Sequence, residues 1–421
     1  MTLVEEPGTK NDWRLRTPGH GAWARTARPD DPNKYFMVSA DNHATEPNDY
    51  LEHIEPDYKD RIPKLVPDEN GALWLVCEGS KALMVKPAPK SQTVQELQPF
   101  ERKEHNQHSG SRMEEEDVRR SKSALTVEMR IADQIRDGID AEVVYPNRGL
   151  LCFATPDPTF AAAMCRAYNR WSVDYFAGVT DRVLPAALIA AGDLDQAMTE
   201  IEWAATRGYK CVALGNKPVW GPTLTGELAY NDPRYDRMWA LLQEADLTVC
   251  FHVSTGRDPR AAGGNGGALI NYVCHSMATT MEPLVQMITS GVFERFPTLR
   301  AGTVESGIGW IPWLLETMDY AYQAHHFWIR PVTPERPSFY YRRNCFSTFQ
   351  EDHEGLSRVE ELGLVDNFLW ANDYPHHEGS WPHSAESVER MMGHLSDESR
   401  AKILGLNAAR IFNIAVPPPR A

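Results

Sequence analysis

Phe36-Met37-Val38-Ser39-Ala40-Asp41-Asn42-His43 is a short apolar run that ends on two metal-competent side chains. Asp41 and His43, two apart at a strand end, point the same way and can grip one ion. Three later stretches answer it. Leu247 to Phe251 leads to His252, Leu299 to Val304 leads to Glu305, and Phe368 to Asn372 leads to Asp373. Each donor is the first polar residue after a buried-looking strand. A barrel of parallel strands gathers such ends at its C-terminal face, where that fold keeps its active sites. The four stretches together predict an α/β chain folded as a (β/α)8 barrel around a metal centre.

Working outward, the rhythm of the chain agrees. Thr126 to Asp137 has helical spacing, with Met129, Ile131, Ala132 and Ile135 apolar. Strands are expected at Glu142 to Tyr145, Val183 to Ile189, Tyr209 to Leu214 and Asn344 to Thr348, with helices between most of them. With the four stretches above these make eight strands, which favours a closed barrel over an open doubly wound sheet. Residues 1–34 are polar, rich in Pro, Gly and Arg and without periodicity. They read as an N-terminal arm, ordered against a neighbouring subunit. Residues 35–415 form the barrel domain. Within it, 65–122 reads as an insertion over the barrel mouth, opening with a β-hairpin from Leu65 to Val85.

Composition narrows the function. Hydrophobic content of 42% and charged content of 24% suit a globular protein. A net charge of −15 and a pI near 5.4 argue against nucleic acid, which needs a basic face. No apolar run approaches the ~18 residues of a membrane span, and the N-terminus shows no secretory pattern. The seven cysteines are odd in number and include no C-x-x-C pair, which predicts reduced structural thiols in a cytoplasmic protein. The arm and the many aromatic residues predict an oligomer.

Asp41, His43, His252 and Asp373 are therefore the candidate metal ligands. Imidazole with carboxylate suits Zn, Fe or Mn, and the absence of cysteine ligands argues against a structural zinc knot. An ion here would lower the pKa of bound water or polarise a substrate oxygen. Glu305 would face the same cavity, as a second-ion ligand or a general base. His275, after the glycine-rich loop 261–267, and His376 and His377, after Asp373, are candidates for a second metal position or for substrate contact. Lys217 is a weaker candidate for a carbamylated bridge between two ions. His105 and His108 lie in the polar insertion and are expected in solvent. Glu46 could reach the mouth, although Pro47 reads more simply as the start of a helix.

These residues resemble the amidohydrolase superfamily, in the branch that contains metal-dependent decarboxylases of aromatic acids. The resemblance runs from about residue 36 to 415. It rests on Asp41-Asn42-His43-Ala44-Thr45-Glu46-Pro47, Phe293-Glu294-Arg295-Phe296-Pro297-Thr298-Leu299-Arg300, Glu305-Ser306-Gly307-Ile308-Gly309-Trp310, Asn372-Asp373-Tyr374-Pro375-His376 and Leu404-Gly405-Leu406-Asn407-Ala408-Ala409-Arg410. It implies a distorted (β/α)8 barrel with Asp41 and His43 on strand one, His252 on strand five and Asp373 on strand eight. Family decarboxylases usually carry His or Glu where Asp41 stands, and several place a His where this chain has Glu305. The departure implies a carboxylate-rich site, better suited to Mn or Fe than to Zn.

Three functions follow as expectations. The first is a metal-dependent hydrolase or non-oxidative decarboxylase of a small, carboxylate-bearing substrate, with Asp373, Glu305 and His275 in catalytic roles. The second, implied by relatives of this branch that resemble dinuclear iron or manganese–iron enzymes, is an oxygenase of a small amino or carboxylic acid. There Glu305, with His275 or His376, would hold the second ion. The third is a silent scaffolding subunit paired with a related chain.

Overall fold

Short apolar runs buried on both faces form parallel strands, because helices can then cover the sheet from outside. A computed structural model of the protein describes residues 19–47, 49–69, 71, 73–78, 80–86, 124–221, 228–255, 265–376 and 378–417. The strands are β1 Val38–His43, β2 Lys64–Pro67, β3 Leu73–Cys77, β4 Ser80–Lys86, β5 Ala141–Tyr145, β6 Val183–Pro185, β7 Ala187–Ile189, β8 Cys211–Leu214, β9 Thr248–His252, β10 Ala301–Val304, β11 Cys345–Phe349 and β12 Phe368–Trp370.

Two parallel ladders run β1-β5-β6 and β7-β8-β9-β10-β11-β12. The expected strand from 183 to 189 is one run that changes partner midway. Pro185 has no amide hydrogen to give, and the Ala186 N–H reaches back to Val144 O at 2.9 Å before β7 turns to β8. The opposite seam is closed just past the end of β12. Asp373 N donates to Asp41 O (3.1 Å) and His43 N donates to Tyr374 O (2.7 Å). Counting β6 and β7 as one strand, the ring has eight, and the protein is a (β/α)8 barrel. Alternation sorts the side chains. Ala40, Val143, Leu188, Ala213, Cys250, Val304, Phe346 and Leu369, drawn from the whole ring, meet in one cluster. Val212, Leu214, Val249 and Phe251 pack the other way, with Trp239 and Leu284 of the covering helices.

β1 ends on the two donors, as expected. It runs through Asp41 and Asn42 to His43, with a register shift between Ser39 and Asn42. The helix Val127–Asp137 is turned away from its apolar side. Met129 and Ile135 are exposed, while Arg130, Gln134 and Asp137 are buried. The inward face is polar because it supports β1 electrostatically. Arg130 Nη1 donates to Glu142 Oε2 (2.7 Å), and its other amino group bonds His43 O. Asn42 Nδ2 donates to the same carboxylate at 2.5 Å, and Gln134 donates there too.

Asp137 lies deeper. Burial pushes its carboxyl up to about 6 from 3.8, against the hydrogen bonds from Ser384 and Asn372. A raised carboxyl favours the folded state most when protonated, so this contribution is lost as pH rises from ~4 through ~6. Asp137→Asn is expected to remove ~2–3 kcal/mol of that pH dependence, read as a flatter urea midpoint between pH ~4 and ~6. An unchanged slope would show that Asp137 titrates normally.

The described part of the arm, 19–34, is held by its own chain. Arg28 forks onto Glu389 (Nε 2.7 Å, Nη2 2.6 Å) and reaches Glu386 at 2.9 Å. The Arg400 guanidinium lies 3.9 Å from the ring centre of Trp23. In place of the expected hairpin, β2, β3 and β4 form a three-stranded antiparallel sheet. Leu75 of this sheet packs on Leu151, Ala154 and Trp220, from loops that follow β5 and β8. Residues 87–122 of the insertion, with His105 and His108, lie outside the described residues, as do 261–264 of the glycine-rich loop and His377. No helix among the described residues is long and apolar enough to cross a membrane.

Candidate metal centre

The ring delivers the strand-end donors to one point. Asp41, His43, His252 and Asp373 are fully buried. Asp41 Oδ1 lies 3.3 Å from His252 Nε2 and 3.7 Å from His43 Nε2. Glu305 Oε2 lies 3.3 Å from His252 Nε2 and 3.4 Å from His43 Nε2. Asp373 Oδ1 lies 3.3 Å from His43 Nε2 and 3.1 Å from His376 Nδ1. The donors form two overlapping quartets. One is Asp41, His43, His252 and Glu305, and the other is His43, Glu305, Asp373 and His376; the donor atoms of each lie within 4.8 Å of one another.

Local structure explains the aim of each group. The Nδ1 of His43 faces Pro146 O at 2.9 Å and that of His252 faces Val253 O at 2.7 Å. A carbonyl only accepts, so each Nδ1 carries a proton and each Nε2 of a neutral ring turns its lone pair inward. Glu305 and Asp373 follow the ends of β10 and β12 with φ of 60° and 53°. This left-handed conformation is uncommon for side chains with a Cβ and is kept where the surroundings enforce it. Glu305 N is held by Thr348 Oγ1 (3.0 Å). Behind Asp373, a Cβ on Gly379 would lie 2.8 Å from Asp373 O, so only glycine lets the loop fold back there. Asn42, facing away from the ion-binding side, accepts from Tyr374 N at 2.9 Å and locks β1 to the Asp373 turn.

Inward lone pairs meeting three carboxylates repel unless something positive lies among them. Asp41 Oδ2, His43 Nε2 and Asp373 Oδ2 have no hydrogen-bond partner among the described residues. Buried polar atoms are rarely left so, and a divalent cation answers all of them at once. Without one, protons must serve. Burial would lower the His43 ring, but Asp373 and Glu305 hold it well above its usual range. Burial and the neighbouring Asp373 charge raise Glu305. Asp373 is held low by His376 and His43 despite its burial. Oxygen and nitrogen donors without sulfur suit Mn or Fe.

The other candidates sit apart or beside this centre. His376 stacks on His43, with ring centres 3.9 Å apart. His275 ends the helix Gly267–His275 with Nδ1 3.0 Å from Asn271 Oδ1, and belongs to neither quartet. Lys217 Nζ donates to Gly221 O at 2.7 Å, away from both. Pro47 starts no helix; Glu46 instead accepts from the amides of Asn147, Arg148 and Gly149 at 2.8–3.0 Å. Sequence reasoning missed the support of β1 by Arg130, Asn42 and Glu142. It also missed a cavity of about 400 Å³ that opens beside Glu305, walled by Tyr272, Ser306, Trp310 and Glu378.

A (β/α)8 barrel with carboxylate and imidazole donors at its strand ends defines a class of metal-centred barrel proteins. The amidohydrolase family model Amidohydro_2 matches residues 153–414, and the chain belongs to that family and is an enzyme. Solved structures agree on the fold. An amidohydrolase from Mycobacterium avium subsp. paratuberculosis K-10 is 22% identical, with a TM-score of 0.68 over 91% of this chain and 99% of that one. A 5-carboxyvanillate decarboxylase from Sphingomonas paucimobilis is 19% identical, with a TM-score of 0.59 over 91% and 100%. A dihydroxybenzoic acid decarboxylase from Polaromonas sp. JS666, solved with manganese and 2-nitroresorcinol, is 16% identical, with a TM-score of 0.58 over 90% and 97%. No curated protein matches the sequence.

Proposed function

We propose that this enzyme is a manganese- or iron-dependent carboxy-lyase or hydrolase of a small carboxylate-bearing substrate. The observation that carries the proposal is the convergence of inward imidazole lone pairs and three carboxylates on one buried point. Asp41, His43, His252 and Asp373 would hold the ion; the dihydroxybenzoic acid decarboxylase named above was solved with manganese bound. The ion, when bound, would supply a Lewis acid for the substrate carboxylate or for water. The chain's own residues do the rest. Asp373, held low, stays ionised and serves as a ligand. Glu305, whose carboxyl burial and the Asp373 charge push above its usual range, is the better acid–base. In decarboxylation the C–C bond to the carboxylate breaks, carbon dioxide leaves, and Glu305 gives its proton to the carbon that retains the electron pair. In hydrolysis Glu305 takes the proton of the attacking water. Tyr145, tilted against His252 at 5.0 Å, and stacked His376 keep bulk water from the two rings.

The second quartet supports another reading, a dinuclear Mn/Fe or Fe/Fe oxygenase in which Glu305 would help to hold the second ion. Metal content per chain, measured by mass spectrometry on protein purified without added metal, separates them. About one ion favours the lyase or hydrolase, and about two with iron present favours the oxygenase. Glu305→Gln sharpens the result. Loss of one ion of two identifies a ligand, whereas a rate loss of ~100-fold or more at unchanged metal content identifies an acid–base group. We place the enzyme in the cytoplasm on its seven free cysteines, six of them buried. Exposed Trp313, Tyr320, Phe327 and Trp328 support an oligomer, either of this chain or with a related one.

A further inference from the structure

The helix Ile311–Ala324 buries Ile311, Leu314, Leu315 and Met318 against the barrel. Its outer face is apolar as well, which the core does not require. Trp313 and Tyr320 stand two turns apart on one side of it. Phe327 and Trp328 of the short helix His326–Ile329 follow, and all four aromatics are between 59% and 70% exposed. They form one ridge. The His325 ring meets Tyr320 edge-on at 5.7 Å and leans on Trp328 at 5.6 Å. Tyr322 Oη donates to Thr333 O at 2.9 Å, which pins to this helix the segment that carries the exposed Val332.

A whole aromatic side chain carries ~150–250 Å², so the four leave roughly 500 Å² uncovered. Ile329 and Val332 raise the apolar area to roughly 650 Å², at the upper end of what a monomer shows in one patch and near the ~800 Å² that each side of a stable contact buries. The charges at the two ends of the ridge are opposite. Glu316 is exposed near Trp313 and Arg330 is exposed beyond Trp328, neither of them paired among the described residues. A twofold axis across the middle of the ridge sets the acidic end of one copy against the basic end of the other. We propose that this ridge is the contact between two copies of the chain, packed antiparallel about an axis near Tyr320, with Glu316 facing the partner's Arg330. Rigid aromatic side chains lose little freedom on docking and carry most of the energy of such contacts. The inference narrows the oligomer of the preceding reading to one face and one partner, the chain itself, and is independent of the chemistry at the metal centre.

The test is sedimentation of the full-length chain at about 20 µM and low salt. The expected species has twice the 47.5 kDa of the chain; a monomer overturns the proposal together with the homo-oligomer. Trp328→Glu is expected to raise the dissociation constant ~1,000-fold, because a substitution worth ~30-fold on one side counts twice in a twofold contact. Its urea midpoint should match that of the unaltered chain, since the side chain packs on no core. A folded Trp328→Glu chain that is still a dimer keeps the oligomer and removes this ridge from it. Glu316→Arg and Arg330→Glu test the pairing without touching the aromatics. Each alone should weaken its own dimer about tenfold by setting like charges together, and an equimolar mixture of the two should associate as tightly as the unaltered chain. A mixture no tighter than either variant alone overturns the antiparallel contact.

Discussion

His252→Ala is expected to abolish activity and most metal binding while leaving the barrel folded. The imidazole ends β9 with its Nδ1 proton given to Val253 O, so Nε2 has no role except toward the centre. Its removal takes away a donor that lies 3.3 Å from both Asp41 and Glu305. A Lewis-acid site is worth several kcal/mol of transition-state stabilisation, so the rate should fall by at least about three orders of magnitude. Stability should change less, because the deletion also relieves lone-pair repulsion in the metal-free chain. Metal content by mass spectrometry, turnover and the urea midpoint, measured together, decide the matter. Retained metal and turnover in a folded variant would remove His252 from the centre.

Arg130→Ala should have the largest effect on stability. The guanidinium is 1% exposed, and it satisfies both the Glu142 carboxylate and the His43 carbonyl. Truncation leaves a buried carboxylate that keeps only the amides of Asn42 and Gln134. Breaking a buried pair on one side costs ~3–5 kcal/mol, and burial already presses the Glu142 carboxyl upward. Denaturant unfolding should show that loss. Replacing both partners, as Arg130→Met with Glu142→Gln, should recover most of it, since no uncompensated charge is then left buried. A single-variant loss under ~1 kcal/mol would mean that water reaches the pair.

The sequence showed most clearly what depends on short-range pattern. Strand ends at His252, Glu305 and Asp373 are legible because a buried parallel strand is a continuous apolar run, and a carboxylate or imidazole interrupts it. β1 was legible as a strand ending on Asp41-Asn42-His43, but not its support. There the polar residues are themselves buried, each answered by a partner far along the chain. The helix Val127–Asp137 was legible as a helix, but not which of its faces is buried. Met129 and Ile135 mark an apolar face, but Arg130 and Gln134 are needed inside to neutralise Glu142. Periodicity cannot show that a polar face is the buried one when its partner lies on a different strand. The cavity was illegible for the same reason. Tyr272, Ser306 and Glu378 belong to three separate loops or helices, and none of them carries a local signal.

The place where the ring closes has a consequence for how long the protein survives. β1 and the turn after β12 come from opposite ends of the domain, and Tyr374 meets Asn42 across 332 positions of chain. Joining such distant segments costs loop entropy and comes late in folding. Asp41 and His43 stand on one side of that join and Asp373 on the other, so an ion held between them acts as a clasp. Its binding free energy becomes closure free energy, about 1.4 kcal/mol for each tenfold rise in free ion above the dissociation constant. The cell's supply of the metal would then govern the lifetime of the chain as well as its turnover, and a starved cell would lose the enzyme by unfolding and proteolysis.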